Sequence, residues 1–242
     1  MTRGPAINVR GTYQIDGVRL FGPVDIQIPS GQWTCVLGRS GVGKSTLLRL
    51  IAGLDCNGKF EGDITASDHM DLVGRVSVMA QSDSLLPWLN VLDNTTIGAR
   101  LRGEKSDTEK ASNLLARVGL SDHLYKKPRA LSGGMRQRGA LARTLMEDRP
   151  IVLLDEPFSA LDASTRADMQ ELTAEVLADK TVLLVTHDPA EAVRLGHQIV
   201  VLTDNATHSW PPLAMPPVRD QYGPAMIACQ AELLAHLRAI GR

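Results

Sequence analysis

A lysine and a serine close a glycine-rich run. Gly38-Arg39-Ser40-Gly41-Val42-Gly43-Lys44-Ser45 fits G-x-x-x-x-G-K-[ST] and continues into Thr46. Glycines at these places let backbone N–H groups turn inward around phosphate oxygens. A helix starting there adds the partial positive charge of its N-terminus. Lys44 supplies a point charge to the β- and γ-phosphates, and the Ser45 hydroxyl suits Mg²⁺, which keeps octahedral oxygen ligation. The alternative, a glycine turn before a core helix, would not require Lys-Ser at its end.

Three further positions offer matching chemistry. In Ile151-Val152-Leu153-Leu154-Asp155-Glu156-Pro157, four apolar residues bury a strand and two carboxylates emerge at its end. Ligands of open α/β sheets bind at the carboxyl ends of strands. Asp155 suits the Mg²⁺ shell, and Glu156 suits orienting and polarising an attacking water; taken alone, the pair also reads as a cap for the next helix. Thr186-His187-Asp188 follows the apolar Val182–Val185 in the same manner, which puts His187 in place for a γ-phosphate contact. Gln81 follows another apolar strand, and its amide can reach Mg²⁺ or the attacking water.

Leu131-Ser132-Gly133-Gly134-Met135-Arg136-Gln137-Arg138 carries a different signal. Ser132 can cap a helix while two glycines bare its first N–H groups. One chain then holds two phosphate-binding helix starts but one lysine loop and one acidic pair. Either two anions bind separately, or the second start serves the nucleotide of another copy; spacing alone leaves both open.

The elements that must position these residues follow from periodicity. Val24, Ile26 and Ile28 alternate with polar residues, and Trp33–Leu37 is a short apolar strand before the glycine loop. A helix is expected over Ser45–Leu54, and β structure over Gly62–Ala80. The pattern turns helical from about Val91 to Arg129 and again over Met135–Met146. Strands at Ile151–Leu154, Thr181–Val185 and Gln198–Leu202 then alternate with helices at Ala163–Leu177 and Pro189–Leu195. Buried strands alternating with helices indicate an α/β fold with a mainly parallel sheet. Pro211-Pro212 and Pro216-Pro217 mark a linker before a tail helix over Ala225–Ile240, with Ile227, Leu233, Leu234, Leu237 and Ile240 as its apolar positions.

Composition narrows the function classes. Lys plus Arg total 26 against 27 Asp plus Glu, and aromatics are 4% of the 242 residues. Neither a bulk electrostatic grip on nucleic acid nor a base-stacking platform is expected. Cys35, Cys56 and Cys229 have neither zinc spacing nor disulfide pairing, which points to a reducing compartment. Met1–Val9 lacks an apolar signal region, and no apolar run approaches the ~20 residues of a membrane span. A membrane role would need a separate partner.

Taken in order, these signals resemble the ATP-binding subunit of an ABC transporter, from roughly Ala6 to Leu202. The resemblance implies a P-loop NTPase, RecA-like core with an N-terminal antiparallel β-subdomain and an inserted helical subdomain at about residues 85–148. Residues 1–205 would form the ATPase domain, and 206–242 a proline-rich linker and C-terminal helix. By this resemblance Gly38–Thr46 is Walker A, and Gly38, Ser40, Gly41, Gly43, Lys44, Ser45 and Thr46 bind nucleotide. Gln81 is the Q-loop residue, Leu131–Met135 the signature, Asp155 the Walker B aspartate and Glu156 the catalytic glutamate. Asp162 belongs to the D-loop and His187 is the switch histidine. Glu156, His187, Gln81 and Lys44 would serve catalysis; Ser45, Gln81 and Asp155 would hold Mg²⁺. Two ATPs would lie in a head-to-tail dimer, each between one copy's Lys44 loop and the other's Ser132-Gly133-Gly134. Tyr13 lies near the place of an adenine-stacking aromatic, with strand packing as its alternative.

The stretch Ser84–Asn94 is similar to bacterial importer ATPases for nitrate, sulfonate and pyrimidine precursors. Trp33-Thr34-Cys35, Ala66-Ser67-Asp68 and Ala142–Pro150 resemble most the subunit assigned to hydroxymethylpyrimidine, a thiamine precursor. The implied partners are integral membrane permease subunits and, indirectly, a solute-binding protein, with the ATPase peripheral on the cytoplasmic side of the inner membrane. Leu85, Leu86 and Trp88 would receive the permease or, alternatively, pack the helical insert's core. An exporter or lipid-extraction ATPase and a DNA-associated ABC ATPase are the rival readings; the latter normally carries long coiled-coil insertions, and none is present here.

Overall fold

Apolar runs too short for helices become fully buried strands. A computed structural model describes residues 3–240; the remaining two residues at either end, and with them the outer limits of the two expected domains, lie outside the described residues. The chain divides into two compact units: Met1–Val76 with Pro150–Asp155 and Ala178–Arg242, and Ser77–Arg149 with Glu156–Leu177.

In the first unit, β1 (Ile7–Ile15), β2 (Val18–Ile28) and β4 (Lys59–Ala66) form an antiparallel sheet in the order β2-β1-β4. Val24, Ile26 and Ile28 alternate inward along β2, as their spacing predicts. The second sheet has the order β5-β6-β7-β3-β8-β9, with β3 Trp33–Gly38, β5 Val76–Met79, β6 Ile151–Asp155, β7 Thr181–Val185, β8 Gln198–Leu202 and β9 Thr207–Trp210. The second unit begins within β5, at Ser77. β6, β7, β3 and β8 run parallel. Every residue of β6 and β7 is buried. At about 1.5–3 kcal/mol per buried Val, Leu or Ile, these strands anchor the sheet that carries the site. Helix α1 (Lys44–Ile51) follows β3 and packs Leu47, Leu48 and Ile51 inward.

Several expectations change. The β stretch over Gly62–Ala80 is interrupted: β4 ends at Ala66, and an ion pair between Arg75 and Asp68 closes the turn before β5. β9, antiparallel to β8, occupies part of the expected linker. Its sequence, Thr-His-Ser-Trp, is a polar edge strand without an apolar alternation to betray it. Beyond it, buried Arg219 ties the proline-rich segment back to α6 (Pro189–Leu195), donating to Val193 O, Gly196 O, Leu213 O and Met215 O. The tail helix α7 (Pro224–Ile240) buries Met226, Cys229 and Leu233, whereas Ile227 and Leu234 are exposed. Leu233 is thus buried as expected, while Met226 and Cys229 take the places expected of Ile227 and Leu234.

The second unit gathers α2 (Val91–Leu101), α3 (Thr108–Arg117), α4 (Gly133–Met146) and α5 (Ala163–Val176). α2 and α3 both pack on α4. Gly139 of α4 leaves room for Leu85, Leu120 and Val91, each 3.6–3.8 Å from where a Cβ would stand. α5 lies in this unit, where Arg117 of α3 pairs with Glu175 of α5 at 2.6 Å. Side chains cap each of these helices: Asn90, Asp107, Ser132 and Asp162 accept from backbone N–H groups of the first turn.

Candidate functional site

In the first unit the parallel register brings strand ends level. Val36 of β3 lies opposite Val185 of β7, and Val185 lies opposite Asp155 of β6. The Gly38 loop, Asp155 and His187 therefore leave one edge of one sheet, the carboxyl edge where such folds bind ligands. Thr186 N–H donates to Val36 O at 3.2 Å and holds the β7 exit to β3. Thr186 Oγ1 donates to Glu191 at 2.7 Å and accepts from Asp188 N–H, so exposed His187 sits between two fixed neighbours.

The loop after β3 is shaped for phosphate. Gly43, the N-cap of α1, has φ 99°, and a Cβ there would stand 2.5 Å from the Phe21 ring; a side chain would meet both strain and a clash. Gly41 has φ 83° with open space around it. Lys44 is 8% exposed and its Nζ donates to Gly38 O and Arg39 O, both at 2.9 Å. Its ammonium is thereby held inside the loop. No side chain caps α1, and the first N–H groups of a helix have no partner within it. These donors, with Ser40, Ser45 and Thr46 beside them, fit an anion of triphosphate type.

A magnesium ion fits Ser45 and Asp155 as a shared ligand of protein and phosphate, because Mg²⁺ uses one or two carboxylates plus substrate oxygens. Asp155 is 7% exposed at the end of β6. Among the described residues no group of three or more His, Cys, Asp or Glu gathers to hold a metal; Mg²⁺ sites of this kind draw on waters and substrate phosphates besides one or two carboxylates.

Of the two readings for Tyr13, the geometry favours strand packing. It is 1% exposed and stacks on Phe21, with ring centroids 5.6 Å apart and planes at 19°. Phe21 in turn lies against Gly43. In this conformation Tyr13 presents no free face to an adenine; it buttresses the phosphate loop from within the β1–β2 pair.

In the second unit, Gln81 Nε2 donates to Glu156 Oε2 at 3.3 Å. Glu156 is a non-glycine residue at φ 49°, a conformation costing about 1–3 kcal/mol and kept where surrounding bonds impose it. Its carbonyl accepts from Ser159 Oγ at 3.0 Å and from Gln137 Nε2 at 3.0 Å. The sequence motifs mark Gln81 and Glu156 but not Gln137, whose one signal is a polar residue on the buried stripe of α4.

The Gln81–Asn90 loop is also tied to α4. Arg136 Nε donates to Asp83 Oδ2 at 2.9 Å, and Arg143 donates to the carbonyls of Asp83 and Ser84. Buried Asn94 clasps Leu86 through both N–H and C=O. Leu85 is buried, Leu86 partly so, and Trp88 is 65% exposed. Of the two readings for this trio, core packing holds for Leu85 and outward presentation for Trp88.

Ser132 caps α4 by accepting from Met135 N–H at 3.2 Å. A Cβ on Gly133 would meet only Arg136 Nη2, at 3.9 Å, whereas one on Gly134 would press Ala160 O at 3.2 Å. Gly133 thus faces open space and Gly134 a neighbouring backbone. Asp162, assigned by resemblance to nucleotide binding, caps α5: hydrogen bonds from Thr165 and Ser164 hold its carboxyl at about 2, below the usual carboxylate value.

Known proteins of one family resemble this chain. A family model described as ABC transporter matches residues 21–159. An uncharacterized ABC transporter ATP-binding protein of Haemophilus influenzae is 48% identical over 195 residues, 80% of each chain. An aliphatic sulfonates import ATP-binding protein of Pseudomonas aeruginosa is 39% identical across 99% of this chain and 87% of that one. Its counterpart from Delftia acidovorans is 40% identical across 96% and 94%. Among solved structures, the dimeric structure of a bacterial ABC transporter cassette superposes with a TM-score of 0.74 at 28% identity, covering 86% of this chain and all of that one. A post-hydrolysis dimer of the same cassette, bound to ADP and Pi, gives the same TM-score and identity over 88% and 99%.

Proposed function

The chain belongs to the ABC transporter family as an ATP-hydrolysing cassette, and from that premise we propose that it powers solute import through a separate membrane permease. The observation carrying the ATP-driven part of this reading is the buried Lys44 ammonium inside a glycine loop, before a helix start that no side chain caps; the import part is supported by relatives named as import ATP-binding proteins. Lys44 and the α1 N–H groups bind the triphosphate, and Ser45 and Asp155 would hold Mg²⁺. When bound, Mg²⁺ would neutralise charge on the phosphates. Glu156 accepts a proton from water as the water oxygen bonds to the γ-phosphorus. The bond from that phosphorus to the bridging oxygen breaks, and its electron pair leaves on ADP. Gln81 orients the Glu156 carboxylate, and His187 stabilises charge on the γ-phosphoryl oxygens.

A second copy completes each site in this reading, its Ser132-Gly133-Gly134 meeting the nucleotide. The dimeric cassettes of similar fold support that arrangement. Gly133→Asp tests it cleanly. The added side chain enters open space, and an acid suits the first turn of a helix. Thermal stability should therefore be kept, while ATP-dependent dimerisation is lost and turnover falls about 10²-fold or more. Wild-type turnover in a folded Gly133→Asp protein, measured by phosphate release, would refute the shared site.

For cargo, we propose an aliphatic sulfonate in preference to hydroxymethylpyrimidine, because the relatives spanning nearly the whole chain carry sulfonate names. No helix among the described residues is long and apolar enough to cross a membrane. We place the protein on the cytoplasmic face of the membrane against permease subunits, with exposed Trp88 in the contact. A strain lacking this gene should fail to grow on an alkanesulfonate as sole sulfur source and still use hydroxymethylpyrimidine for thiamine. The reverse pattern would transfer the cargo assignment to the pyrimidine.

A further inference from the structure

We propose that Gln137 is a positioning residue for hydrolysis, holding the backbone turn that aims the Glu156 carboxylate. The inference rests on the role given to Glu156 above. Gln137 is 6% exposed, and its amide is fully engaged. Nε2 donates to Glu156 O at 3.0 Å and to Ser159 Oγ at 3.2 Å, while Oε1 accepts from Ala160 N–H at 2.7 Å. The orientation of the amide is not arbitrary: Ala160 N–H can only donate and Glu156 C=O can only accept. One side chain therefore clamps both ends of the turn from Glu156 to Ala160.

That turn needs a clamp. Glu156 sits at φ 49°, where a residue with a Cβ remains only if its surroundings demand it. Released, its backbone would relax toward the ordinary regions, and the carboxylate would swing with it. Gln81 reaches that carboxylate from a loop; Gln137 fixes the backbone beneath it from a rigid helix. The same helix, α4, opens with Ser132, Gly133 and Gly134. The element offering N–H groups at Gly133 is thus hydrogen-bonded directly to the turn that carries Glu156.

Gln137→Glu tests this in the full chain. It keeps length and the acceptor for Ala160 N–H, but turns an acceptor toward the Glu156 carbonyl in place of a donor. Displacing a reacting group by about 1 Å can cost about 10²-fold, so kcat should fall by that order while KM for ATP stays within about twofold. In a Glu156→Gln background the same change should lower the residual turnover no further, because Gln137 acts through Glu156. Gln137→Met, uncharged and of similar length, replaces the acid if Gln137→Glu unfolds below the assay temperature. Unchanged kcat in a folded Gln137 variant overturns the proposal. So does an equal further loss in the Glu156→Gln background, or a rise in KM alone. If Glu156→Gln itself turned over at the wild-type rate, the role of Glu156 would fail instead, which separates the two claims.

Discussion

Glu156→Gln is expected to bind MgATP, hold two copies of the chain together and lose turnover by about 10²–10⁴-fold, the usual contribution of a positioned base. The substitution keeps side-chain shape and removes only the ability to take a proton from water. The carbonyl bonds from Gln137 and Ser159 go to the backbone of residue 156 and are retained, so the turn should persist. In the proposed mechanism binding depends on the Lys44 loop, which is untouched. Closed dimers should then accumulate because the step that releases them is blocked. Light scattering on the variant saturated with MgATP, paired with phosphate release, reads both outcomes. A variant that stays monomeric and hydrolyses at the wild-type rate would remove both the base and the shared site from this account.

Lys44→Ala carries the second large effect, and on a different quantity. Here the loss should appear in nucleotide affinity, measured by titration with a fluorescent ATP analogue. A hydrogen bond to a charged group is worth about 1.5–3 kcal/mol, so affinity should fall about 10- to 100-fold. Lys44 is almost fully buried, and its ammonium spans the carbonyls of Gly38 and Arg39. Truncation therefore also loosens the loop. Lys44→Met separates the effects by keeping the buried stem and removing the charge. Equal losses in both variants assign the effect to the charge, and unchanged affinity in both would count against the phosphate-loop reading.

Local patterns wrote much of this protein in advance. The strand at Ile151–Leu154, the loop from Gly38 to Ser45 and the cap at Ser132 are each a short-range matter: apolar runs bury themselves, glycines admit turns, and a serine hydroxyl reaches an N–H three residues on. β9 escaped because an edge strand is stabilised by its neighbour β8 rather than by its own alternation. α7 covers Met226 and Cys229 beside Leu233, and leaves Ile227 and Leu234 exposed, because the surface it meets, not its own composition, selects which face is covered.

What the sequence determined by itself, then, was the set of chemical groups and the order in which they occur: lysine loop, glutamine, capped glycines, paired carboxylates, histidine. Tertiary structure alone decided how some of them are held. It turned Tyr13 inward onto Phe21, and it set Gln137 under a Glu156 kept at positive φ. The physical reason is range. Propensity, capping and phosphate-loop chemistry act within a few residues, whereas a buried amide satisfied 19 to 23 positions away can be known only once the chain has folded.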